Sequence, residues 1–335
     1  MTAKARWSVR PARSNWGVFG PADQLGRLNL IGPEQVLRAA REIRLGRSFC
    51  LSLPLDFPGG SILNPFRRPP LLEPEILPDG QTAFNAAADR HVPGATDVFS
   101  DAKATLSLQY STHWDGLAHV GQKFDIDGDG DDETVYYNGF NPAEGSESGR
   151  AASLGVENMA RACVQGRGVL VDLEAHFGLR PELVGYEHLM RVIEADGLEI
   201  VPGDILCLNT GYARLLLGMN RQPDRQVLEG TTSALDGRDA KLQDWITDSG
   251  IAAIAADNYA VERLPAAKGE SECCASLPLH EHCLFRLGVY LGELWYLSEL
   301  ADVLREVGRR SFFLTAPPLR LPGAVASPVT PVATI

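Results

Sequence analysis

The sequence predicts an α/β fold with at least part of its sheet parallel. Three stretches carry that expectation. Residues 168–173 are a short apolar, β-branched run that reads as a buried strand. Residues 186–195 have helical period, with Leu189, Val192 and Ile193 inward and Gly197 just beyond the end. Residues 203–211 form a second strand, 239–249 a helix closed by Gly250, and 251–256 a third strand ending at Asp257. Strand, helix and strand in succession point to parallel pairing.

The elements before these are less regular. Residues 1–30 are rich in Arg, Trp and Gly. Trp7, Trp16 and Phe19 are large for an exposed tail, so this arm is expected to pack on its own domain or over a neighbouring subunit's site. A helix opens at Gly32-Pro33-Glu34, with Val36, Leu37, Ala40 and Ile43 on one face, and ends at Gly46. Residues 48–55 alternate as a strand. Residues 57–91 carry Pro58, Pro65, Pro69, Pro70, Pro74 and Pro78, which forbid a central strand or a long helix. A connection this long is expected to cover a binding site in part. Residues 104–108 then read as a strand ending at Gln109.

Composition narrows the partners. The 335 residues carry a net charge of -12, which argues against nucleic acid and anionic membrane. No apolar run is long enough to span a bilayer, and the basic start lacks an apolar signal core, so a cytoplasmic protein is expected. The six cysteines (Cys50, Cys163, Cys207, Cys273, Cys274, Cys283) read as reduced, packed thiols. Asp125, Asp127, Asp129 and Gly130 match the opening of a calcium loop, but Tyr136 stands where the bidentate glutamate belongs. A solvated acidic turn is the reading adopted.

The chemistry centres on Gln109-Tyr110-Ser111-Thr112-His113-Trp114-Asp115-Gly116-Leu117-Ala118-His119. In extended chain, His113 and Asp115 project to one side and Trp114 to the other. Imidazole with carboxylate is the ligand mix of zinc, manganese or iron(II). The bland alternative is a core histidine bonded to Asp115. Downstream, His280 and His282 lie in a polar turn, where paired histidines usually cap or face solvent. Glu293 sits inside Leu-Gly-Glu-Leu and needs a countercharge if buried, which a metal would provide. His91, His176 and His188 read as structural.

The central stretch resembles the signature of the cyclase family of metal-dependent hydrolases, which includes kynurenine formamidase and isatin hydrolase: His-x-Gly-Thr-His-x-Asp-x-Pro-x-His. Thr112, His113, Asp115 and His119 fall in register, whereas Gln109, Ser111 and Leu117 replace His, Gly and Pro. The likeness extends over roughly residues 45 to 300. It implies a single compact domain of swivelling β/β/α type, with a central mixed, partly barrel-like sheet flanked by helices. The organisation expected is an arm and helix at 1–45, the hydrolase domain at 46–315 and a tail at 316–335. It further implies a divalent metal, zinc or manganese, held by His113, Asp115, His280 and Glu293, with Gln109 an unsettled ligand and one tight metal favoured over two. His119 becomes the proton shuttle and His282 has no assigned role. Trp114 suits an aromatic substrate, and Trp16 and Phe19 are candidates to reach a neighbour's site in a homodimer or homotetramer. The expected reaction is hydrolysis of a formamide, cyclic amide or lactone. The alternative is an inactive metal- or ligand-binding member of the same fold, for which His119 would be superfluous. A serine hydrolase is disfavoured because no Gly-x-Ser-x-Gly elbow is present.

Overall fold

The computed structural model describes residues 4–146, 149–269 and 274–335. Its centre is a nine-stranded mixed sheet, curled into a half-barrel and flanked by helices. In chain order the strands are β1 (Ser48–Cys50), β2 (His113–Asp115), β3 (Gln165–Asp172), β4 (Ile205–Asn209), β5 (Ala253–Ala256), β6 (Tyr290–Glu293), β7 (Ser311–Thr315), β8 (Ala326–Pro328) and β9 (Val332–Thr334). Their spatial order is β1-β9-β7-β3-β4-β5-β6-β2-β8. The four strands from β3 to β6 run parallel and the flanking ones antiparallel. The parallel core is the expected one.

The helices α1 (Pro33–Ala40), α2 (Tyr186–Ala195), α3 (Ala240–Ser249) and α4 (Ser298–Glu306) carry the longer helical runs. For α3 the cause is local: the Asp239 carboxylate accepts from the Lys241 and Leu242 amides, and Gly250 takes the left-handed turn at φ 69°. In α1 the inward residue is Ala39, while Leu37 and Ala40 face solvent and Ile43 lies exposed beyond the helix end. The expected face is corrected by Arg38, which turns inward to donate to buried Asp204 at 2.7 Å.

Other expectations shift as well. The strand read at 104–108 is Ala102–Thr105, exposed and paired with Leu71–Pro74 in a separate two-stranded sheet; Leu106 to Thr112 form an irregular connection with a turn and bends, and the central sheet is entered at His113. Residues 316–335, read as a tail, supply β8 and β9, and Ile335 is fully buried. The arm packs on its own domain: Trp16 has no exposed surface, lies edge-on to Phe285 at 5.1 Å and donates to the Phe285 carbonyl at 2.8 Å. Cys207 and Cys283 are buried thiols, but Cys50, Cys163 and Cys274 are exposed because their local runs lie at edges and turns. Cys273 lies outside the described residues. The tract from Asp125 to Glu133 links a small hairpin, Gln122–Phe124 with Glu133–Val135. Its carboxylates accept the loop's own amides, Gly128 and Gly130 onto Asp125, Asp129 onto Asp127 and Asp131 onto Asp129. No described helix is long and apolar enough to cross a membrane.

Candidate metal centre

The centre forms where β2 pairs antiparallel with β6, placing His113 opposite Glu293 and Asp115 opposite Leu291. Alternation along β2 sends His113 and Asp115 to one face and Trp114 to the other. Trp114 packs edge-on to Trp295 at 4.9 Å and donates to the Ala316 carbonyl. The substrate role expected of Trp114 is thus corrected: its ring belongs to the core behind the sheet. Gly292, opposite Trp114, makes room for this, since a Cβ there would meet Trp295 Nε1 at 2.7 Å.

The signature's small residues tie the strand in place. Thr112 Oγ1 accepts the Leu53 amide at 2.9 Å and donates to the Leu294 carbonyl. Ser111 Oγ donates to the Pro54 carbonyl, and the Ser111 carbonyl lies 2.7 Å from His113 Nδ1. That bond puts the His113 proton on Nδ1 and leaves a lone pair on Nε2. His280 ends the short helix Pro278–His280, which continues as a π-helical stretch, Glu281–Leu287, of the kind that recurs at functional sites. Its Nδ1 lies 2.7 Å from Glu262 Oε1, leaving Nε2 for the cluster.

The four groups converge. His113 Nε2 stands 3.5 Å from Asp115 Oδ1 and 3.6 Å from Glu293 Oε2; His280 Nε2 stands 3.2 Å from Glu293 Oε1 and 3.7 Å from Asp115 Oδ2. All four side chains are buried. Three of their atoms, His113 Nε2, Asp115 Oδ2 and Glu293 Oε2, have no hydrogen-bond partner. One ligand atom each from His113, Asp115 and Glu293 lies within 4.8 Å of the others, as metal ligands do. Burial disfavours charge on both imidazoles, yet Asp115 and Glu293 hold His113 above its ordinary range. The surrounding carboxylates of Asp115, Glu262 and Glu293 hold His280 well above it. The cluster therefore calls for positive charge, and orphaned buried ligand atoms fit a divalent cation.

His119 is also at the centre, its Nε2 3.6 Å from Asp115 Oδ1. Burial is the main influence on it and pushes its pKa down, so this imidazole is neutral at pH 7. Gln109 turns its amide nitrogen inward, donating to Asp115 Oδ1 and lying 3.1 Å from His119 Nε2. The Gln109 amide thus lies within the centre, beside Asp115 and His119.

Several contributors escaped the sequence reading. Glu262 accepts the Leu279 and His280 amides besides His280 Nδ1, yet its segment has no motif. Arg67, from the proline-rich connection, donates to the Gln109 carbonyl at 3.0 Å and reaches within 3.9 Å of Glu293 Oε2. That connection does cover the site as far as Arg67, and Tyr110 Oη secures it by donating to the Gly60 carbonyl. Trp16 is locked in the core, so the reach into a neighbour expected of it is corrected; Phe19 is half-buried in the arm. His282 is buried but turned away, its Nε2 2.8 Å from the Gln243 carbonyl, and burial pushes its pKa down to about 4. His176 pairs with Asp196 at 3.2 Å and His188 lies 3.2 Å from the Leu183 carbonyl, both structural as expected.

Residues 51–263 match the model of the family described as "Putative cyclase". A crystal structure described as a novel cyclase is 34% identical, covering 96% of this chain and 99% of its own, with a TM-score of 0.77. Isatin hydrolase A from Labrenzia aggregata, bound to benzyl benzoate, shares the fold at 12% identity and a TM-score of 0.56, covering 90% of this chain and 97% of its own. Isatin hydrolase A from Ralstonia solanacearum does so at 14% and 0.55, covering 86% and 91%. No curated protein matches.

Proposed function

The chain belongs to the cyclase family, and from that premise we propose that it is a metal-dependent hydrolase attacking an amide or lactone carbonyl. One observation carries the reading: three buried ligand atoms, His113 Nε2, Asp115 Oδ2 and Glu293 Oε2, face one another without hydrogen-bond partners. A divalent cation, zinc or manganese, held by His113, Asp115, His280 and Glu293 would acidify a water and polarise a carbonyl.

The remaining work falls to the chain's own groups. His119 is neutral, and its Nε2 lies 3.6 Å from Asp115 Oδ1 at the edge of the reacting space, with the Gln109 amide beside both. His119 accepts the proton of the attacking water and returns it to the leaving nitrogen or oxygen. Arg67 brings a fixed positive charge to the same space from the covering connection.

The test is the metal content of the purified protein, with hydrolysis of isatin, an aryl formamide and an aryl lactone before and after chelation. About one equivalent of metal and chelator-sensitive turnover are expected. His119→Ala should keep the metal and lose about 100-fold or more in kcat. Turnover indifferent to chelation would sink the reading. Stoichiometric metal with no turnover of any probe would favour a binding scaffold instead.

A further inference from the structure

His280 stands at the head of the π-helical stretch Glu281–Leu287, so its position depends on how that stretch is anchored. The head is held by the Glu262 carboxylate, which accepts the Leu279 and His280 amides. The tail is held by the N-terminal arm. A helix leaves its last carbonyls without partners inside it, and buried ones need donors from elsewhere. Four successive carbonyls, Phe285 to Gly288, all accept from the arm here. Trp16 Nε1 donates to Phe285 at 2.8 Å and Asn15 Nδ2 to Leu287 at 2.7 Å. The Asn15 amide donates to Arg286 at 3.1 Å and the Arg27 amide to Gly288 at 2.8 Å.

The seat is tight as well as polar. Gly288 has φ 61°, and a Cβ there would meet the Gly26 Cα at 2.6 Å, so the two backbones touch where no side chain fits. Trp16 lies edge-on to Phe285, and both are fully buried. The Arg27 guanidinium continues to the end of α3, donating to the Ile246 and Thr247 carbonyls at 2.7 and 2.6 Å. Helix α3 in turn bonds the stretch through His282, whose Nε2 lies 2.8 Å from the Gln243 carbonyl.

π winding is rare and persists where its surroundings hold it. A tail without caps frays, and a fraying π turn relaxes towards α winding, which rotates the head about the helix axis. His280 Nε2 stands 3.2 Å from Glu293 Oε1 and 3.7 Å from Asp115 Oδ2. Ligand distances tolerate only about 0.2 Å, so a small rotation at the head carries His280 out of range.

We propose that Asn15 and Trp16 are positioning residues for His280: by capping the tail of the π-helical stretch, the arm sets how far His280 reaches into the ligand cluster. The proposal rests on the metal-centre reading and adds a distant control of the cation's affinity. Such coupling is reciprocal, so the bound cation also tightens the arm.

The test uses the full chain and two variants, Trp16→Phe, which keeps a ring and removes the donor, and Asn15→Ala. Two quantities are read: the His280 ring signals in nitrogen-15 histidine-labelled, metal-free protein at fixed pH, and the zinc dissociation constant by competition with a chelating dye. In both variants the His280 signals should move and the zinc constant should rise about fivefold or more. Phe312→Leu serves as the control for lost stability, since Phe312 is buried on β7, four strands from β6. It should lower Tm and leave both quantities unchanged. Unmoved His280 signals overturn the proposal, as does a zinc constant equal to that of a zinc-binding wild type, or an equal effect from Phe312→Leu. Moved His280 signals in a chain whose wild type binds no zinc uphold the arm's hold on His280 and sink the metal-centre reading.

Discussion

His280 is held from both sides, by Glu262 at Nδ1 and by the ligand cluster at Nε2. A carboxylate behind an imidazole fixes its tautomer and raises its basicity, and losing it typically weakens metal binding by about 10–100-fold. Glu262→Gln keeps the volume but offers one acceptor oxygen where two amides and an imidazole now converge. Its metal dissociation constant, measured by competition with a chelating dye, should rise by about that factor; an unchanged constant would remove Glu262 from the site. The sequence shows His113, Asp115 and Glu293 plainly, because two-residue alternation and a carboxylate in an apolar run are local signals. It hides Glu262 and Arg67. Their contacts are made by a strained turn after β5 and an aperiodic connection, and neither has a period to read.

Elements with local punctuation were legible: α2 and α3 run where expected because glycine, aspartate and apolar spacing mark their ends. The strand expected at 104–108 fails for the opposite reason. Its alternation ends in the exposed strand Ala102–Thr105 and then runs into a turn, and it is tertiary pairing with β6 and β8 that makes His113–Asp115 a strand. Strand ends also carry a charge device. Asp257, directly after β5, accepts the Thr210 amide and hydroxyl at 2.7 Å and the Gly211 amide at 2.9 Å, all just beyond β4. Burial outweighs these bonds and raises its pKa from 3.8 to about 7. A carboxyl raised on folding binds its proton more tightly in the native state, so its contribution to stability is complete below about pH 4. It is lost as pH rises through about 7. Urea unfolding at about pH 5 and pH 8 should show stability falling with pH, and Asp257→Asn should flatten that slope. A slope identical in wild type and variant would mean Asp257 is ionised throughout.

At the scale of the whole molecule, the ligands come from two distant parts of the chain, 113–115 and 280–293, which the β2–β6 pair helps bring together. The last residues close over the same region, with β8 pairing against His113 to Asp115. The closing strands were hidden in the sequence because Pro318, Pro322 and Pro328 mask their short runs. A cation at this junction binds the folded chain far better than the unfolded one, where these side chains are dispersed. It also offsets buried Asp115 and Glu293 in a chain of net charge -12. Linkage then makes stability depend on the metal: at a free concentration about 100 times Kd, the gain is about 2.7 kcal/mol. Chelation should therefore lower Tm in the wild type, and replacing zinc or manganese should restore it. Glu293→Gln removes one charge from the cluster and should shrink that gap. A Tm unmoved by chelation and by metal would mean that the three unpaired buried atoms at this junction are answered by something other than a cation.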